Sequence, residues 1–116
     1  MLDLTNMKIT QSAMLSSRLS AESAQIGQLL ARLRLARAVK QSDAALRAGI
    51  SRNTAHRLEH GDPGVAIGQV LRYLEAIAPG SGLLELLSCS DPALISLSAR
   101  EKTQRVRDLT GYSGGS

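Results

Sequence analysis

Apolar positions along most of the chain recur at spacings of three and four, the period of a helix with one buried face. Residues 1–22 depart from it. There Leu2, Leu4, Ile9, Met14, Leu15 and Leu19 are scattered among Ser, Thr and Gln, which predicts a mobile N-terminal arm that forms at most a transient helix. From Ala24 to near Ala38 the pattern sharpens, with Ile26, Leu30, Leu33 and Arg37 in register and Leu29 beside them. Gln41 to Ala48 predicts a short second helix whose inner face is small (Ala44, Ala45, Ala48), ended by Gly49 as a left-handed residue. Ser51 is an N-cap for a third helix from Arg52 to about His60, and Gly61-Asp62-Pro63-Gly64 breaks the chain after it. Ile67, Val70, Leu71, Leu74 and Ile77 predict a fourth amphipathic helix that stops before Pro79. Leu83, Leu84, Leu86 and Leu87 make a short fifth, and Asp91-Pro92 opens a further short turn with Leu94, Ile95 and Leu97. No segment reads as a strand.

Composition narrows the class. The 116 residues fit one small domain with a terminal extension. With no Trp, no Phe and only Tyr73 and Tyr112, the core must be aliphatic. A single cysteine, Cys89, makes no internal disulfide and cannot close a zinc site alone. No apolar run long enough for a membrane span and no secretory leader is present, so the expected location is cytoplasmic. The net charge of +4 matters less than its placement. Between Ile26 and Gly61 stand Arg32, Arg34, Arg37, Lys40, Arg47, Arg52 and Arg57 against Asp43 and Glu59, a local +5 suited to a polyanion. The tail from Arg100 is also basic and is expected to be flexible, which divides the chain into an arm (1–22), a domain (23–90) and a short helix with tail (91–116).

Residues 41–61 carry the chemistry. Two short helices joined by a tight turn need a small residue at their crossing, a glycine in the turn and apolar residues beneath. Ala45, Gly49, Ile50, Ala55 and Leu58 supply these in order. Such a unit presents the first half of its second helix, here Arg52, Asn53, Thr54, His56 and Arg57, whose side chains suit base edges in a major groove.

Residues 26 to about 78 resemble the helix-turn-helix domain of the Cro and phage-repressor type, the XRE family. Ile26-Gly27, Arg34, Gln41, Ala45, Gly49-Ile50-Ser51, Leu58-Glu59 and Gly61 carry the resemblance. It implies an all-α, compact five-helix, lambda-repressor-like domain that binds operator DNA as a homodimer. On this resemblance Arg52, Asn53, His56 and Arg57 read bases. Gln41, Lys40, Ser51, Thr54 and His60 are expected to lie along phosphate, and Arg34 pairs with Glu59. Departures from the family pattern are Ala38 in place of its Gly, Lys40 in place of a Ser or Thr cap, and Ala44 and Ala55 in place of bulkier residues. Residues 61–77 are similar to HipB-like antitoxins, which makes an antitoxin bound to a HipA-like toxin kinase the alternative.

Leu83, Leu84, Leu86 and Leu87 cannot all share one helix face, so some are expected in the core and the rest on a dimer or partner surface. His56 and His60 stand four apart, yet Arg57 takes the place where a metalloprotease helix carries Glu, so neither metal, cofactor nor catalysis is expected.

Overall fold

The computed structural model describes residues 11–89 and 91–109, and all regular structure in them is helical. The order is α1 (Gln11–Met14), α2 (Ser17–Ala36), α3 (Gln41–Ala48), α4 (Arg52–Glu59), α5 (Ile67–Ile77), α6 (Leu83–Leu87) and α7 (Pro92–Leu109). The tail beyond residue 109, expected to be flexible, and residues 1–10 of the expected arm lie outside the described residues.

The core is aliphatic, apart from one tyrosine. Leu30 and Leu33 of α2, Ala44, Ala45 and Ala48 of α3, Ala55 and Leu58 of α4, and Tyr73, Leu74 and Ile77 of α5 are all buried, with Leu86 and Leu94 closing the far end. The buried face of α5 is rotated from the expected one. Ile67 and Leu71 are exposed, because Tyr73 turns inward and draws Val70, Leu74 and Ile77 with it.

Two expected boundaries move. Helix α2 starts at Ser17, inside the segment expected to be an arm, because the Ser16 hydroxyl accepts from the Leu19 amide (3.3 Å) and Arg18 pairs with Glu22 one turn on. Helix α7 runs 18 residues rather than a short turn. Asp91 caps it, accepting from the Ala93 and Leu94 amides, and also pairs with Arg37 at 2.6 Å. Ten residues later Glu101 takes both terminal nitrogens of Arg32, at 3.0 and 2.6 Å, so Arg32 of α2 and Arg37 just after it hold the basic helix against the domain.

Three helices end alike. After α2, α3 and α4 a left-handed residue is flanked by a pair of reversed hydrogen bonds, such as Val39 N–H to Arg34 C=O and Ala38 N–H to Leu35 C=O. Gly49 (φ 70°) and Gly61 (φ 74°) fill this position after α3 and α4, but Ala38 (φ 57°) fills it after α2. A Cβ in that conformation costs about 1–2 kcal/mol. Ala38→Gly is therefore expected to stabilise the fold by up to about 1 kcal/mol, the cost being partly offset by the greater freedom of glycine in the unfolded chain. Thermal melting checks it; a lower melting temperature would contradict the strain.

Candidate nucleic-acid interface

Ser51 sets the start of α4: its hydroxyl accepts from the Thr54 amide at 3.0 Å and donates to Thr54 Oγ1 at 2.9 Å. The turn before it stays tight because Gly49 is left-handed, and the helices on either side meet through alanines, with Ala44 and Ala55 fully buried. Arg52, Asn53, His56 and His60 are exposed along one side of α4, while Ala55, Leu58 and Glu59 are buried on the other.

The buried side is fastened by Glu59. Arg34 of α2 donates to both of its carboxylate oxygens, Nε to Oε2 at 2.6 Å and Nη2 to Oε1 at 3.0 Å. Gln41 of α3 donates to Oε1 at 3.1 Å, and the buried Tyr73 hydroxyl of α5 donates to Oε2. Arg34 also donates to the Val39 carbonyl in the turn before α3 (3.0 Å). Burial by itself would push the Glu59 carboxyl up, but the hydrogen bonds from Arg34 and Tyr73 outweigh it and hold the group below the usual carboxylate range. Burial, then the neighbouring Glu59, raise the Tyr73 hydroxyl above its ordinary value. One carboxylate thus joins the last residue of α4 to three other helices. The role of Tyr73 is one the sequence reading missed; its only signal is a phenol on a buried helix face, which needs a polar partner.

A second contact sits behind this network. Gly27 of α2 lies against the end of α4 so closely that a Cβ there would stand 2.7 Å from the carbonyl oxygens of both Leu58 and Glu59.

The remaining candidate residues are placed as follows. Lys40 is exposed at the start of α3 and its side chain makes no capping bond. Gln41 is half-buried and turned to Glu59. Arg57 is half-buried and does not stand free on the reading side: its Nε donates to Asp62 Oδ2 at 2.7 Å. The His56 and His60 rings lie close but tilted by 38°, with centroids 4.1 Å apart, and His60 Nδ1 donates to the His56 carbonyl at 2.8 Å. No group of His, Cys, Asp or Glu among the described residues is arranged to hold a metal ion. Of the four leucines, Leu86 is buried and so is no surface residue in the single chain, because α6 turns it onto the core. Leu83 is half-buried against that core, while Leu84 (82% exposed) and Leu87 face outward.

A family model described as a helix-turn-helix domain matches residues 25–87, more than half of the chain. The chain belongs to this family. No curated protein and no solved structure gives a significant match. The matched span runs from the start of the tight part of α2 to the end of α6, and so includes Arg34, Gln41, Glu59 and Tyr73 together with the whole exposed side of α4. The helix-turn-helix domain makes this a DNA-binding protein, and α3 and α4, joined by the tight turn at Gly49, lie within the matched span. All of α7 and the first turns of α2 lie outside the matched span. No helix among the described residues is long and apolar enough to cross a membrane.

Proposed function

We propose that the protein is a sequence-specific transcriptional regulator that binds a palindromic operator as a homodimer and represses by occupying it. The observation that carries this reading is the division of α4: one side locked to three helices through Glu59, the other presenting Arg52, Asn53 and His56 outward. In this reading Arg52 takes a guanine edge and Asn53 an adenine edge, the pairings their geometry favours. Phosphate affinity comes from Lys40 and Gln41 at the start of α3, where the absence of a side-chain cap leaves the first amides open to an anion. Of the seven cations between residues 26 and 61, Arg32, Arg34, Arg37 and Arg57 are held in ion pairs within the chain, so Lys40, Arg47 and Arg52 supply the salt-dependent part. The exposed Leu84 and Leu87 are the proposed dimer surface. No catalytic step is part of this function.

Selection of bound sequences from a random duplex pool tests it. A palindrome with half-sites about one helical turn apart, bound far more tightly than scrambled DNA, is the expected outcome. Arg52→Ala is expected to cost about 1–3 kcal/mol on the selected duplex and to relax the preference at one position. An equal loss on random DNA would show that Arg52 only neutralises phosphate. Weak, equal binding of all duplexes by the parent chain would shift attention to a protein partner, as an antitoxin requires.

A further inference from the structure

Arg57 of α4 is paired with Asp62, a residue beyond the end of that helix, and a carboxylate so close to a DNA-facing helix is unfavourable to phosphate in general. Its geometry shows what it does in return. Asp62 is fixed at three points: its amide donates to the Arg57 carbonyl (3.0 Å), its Oδ1 accepts from the Gly64 amide (2.8 Å), and its Oδ2 accepts from Arg57 Nε (2.7 Å). Gly64 leaves the space for this arrangement, since a Cβ there would stand 3.2 Å from Arg57 Nη2 and 3.1 Å from Asp62 Oδ1. Anchoring Arg57 through Nε leaves Nη1 and Nη2 unanchored by the carboxylate, and these form the fork that matches O6 and N7 of guanine.

We propose that Asp62 is a positioning residue for base reading, holding the Arg57 guanidinium so that its two terminal nitrogens face a guanine edge. This rests on the DNA-reading function proposed above and adds a residue to it from beyond α4. Arg57 then reads from a fixed orientation, where an unsupported arginine at the same place would sample many rotamers. The Arg57 guanidinium, followed by the Gly64 amide, holds the Asp62 carboxyl below its usual range, so the support stays charged.

The test uses the full chain, the duplex recovered by selection, the same duplex with each base pair changed in turn, and a scrambled duplex. Asp62→Asn keeps the shape and the Gly64 contact but removes the charge. It is expected to bind scrambled DNA at least as tightly as the parent, while losing about tenfold in preference for guanine at one position. Arg57→Lys, which keeps the cation but not the fork, is expected to lose preference at the same position. In an Arg57→Ala background, Asp62→Asn should cause no further loss of preference. Unaltered preferences in Asp62→Asn, a uniform loss on every duplex, or a loss that persists without Arg57 would each overturn the role of Asp62. A parent chain without any base preference would instead overturn the DNA-reading function, and this role with it.

Discussion

Glu59→Ala is expected to destabilise the fold by about 3–5 kcal/mol, because it leaves the Arg34 guanidinium, 14% exposed, without its counter-charge and strands the buried Tyr73 hydroxyl. For a domain of this size that corresponds to a fall in melting temperature of more than about 12 °C. Arg34→Ala should be comparable, since it leaves the carboxylate buried instead. Replacing Arg34 and Glu59 by apolar residues of similar volume, together with Tyr73→Phe so that no buried hydroxyl is left without its acceptor, should recover much of the loss, because the cost arises from the unpaired partners rather than from absence of the pair. The same network sets a pH dependence with a definite sign. Glu59 has its folded value depressed, so its contribution is present above the ordinary 4.5 and is lost as pH falls through the lower folded value. Tyr73 has its folded value raised, so its contribution is present below 10.0 and is lost as pH rises through the higher folded value. Chemical denaturation across this range should give a plateau bounded on both sides, and Tyr73→Phe should remove the alkaline edge. A Glu59→Ala melting temperature equal to that of the parent would sink the account.

Gly27→Ala is expected to cost about 1–3 kcal/mol for the addition of a single methyl group. The atoms it meets are backbone, the carbonyls of Leu58 and Glu59 and the amide of Gly61, so no side chain can swing aside and α4 itself must shift. Stability and base preference should therefore fall together. Gly68→Ala is the matched comparison: nothing lies within 4 Å of a Cβ there, and the position is helical, so a gain of about 0.5–1 kcal/mol is expected. Denaturant titration of both variants decides it, and equal stability for the two would mean that α2 and α4 are not in close contact.

The centre of this fold is written in its local chemistry. Gly49, Ser51 and Gly61 each satisfy a backbone requirement at a helix end, so the bounds of α3 and α4 could be read within a residue. What escaped reading depends on partners far along the chain. Ser17–Ser23 has no apolar period of its own, and its helix rests on the Ser16 cap, an exposed ion pair and the Ser23 hydroxyl, which donates to the Gly61 carbonyl 38 positions on. The second half of α7 looks like a solvated basic tail until Glu101 is placed on Arg32, 69 positions earlier. At the site, the exposure of Arg52, Asn53 and His56 followed from the unit of two short helices and a tight turn, whereas Thr54 and Arg57, expected beside them, are half-buried. The attachment of Arg57 to Asp62 did not follow from it, because it spans a helix end where the periodic rule no longer applies. Ile67 and Leu71 misled for a related reason: spacing shows that a helix has a face, but the partner of Tyr73 decides which way it turns.

The alanines between α3 and α4 have a bearing on binding as well as on packing. Ala44, Ala45, Ala48 and Ala55 have no rotamers to choose among, so the seam behind the exposed face of α4 offers the two helices no alternative interlocking. A recognition surface mounted on such a seam is ordered before its ligand arrives. Less conformational entropy is then left to lose on association, and more of each contact survives as affinity.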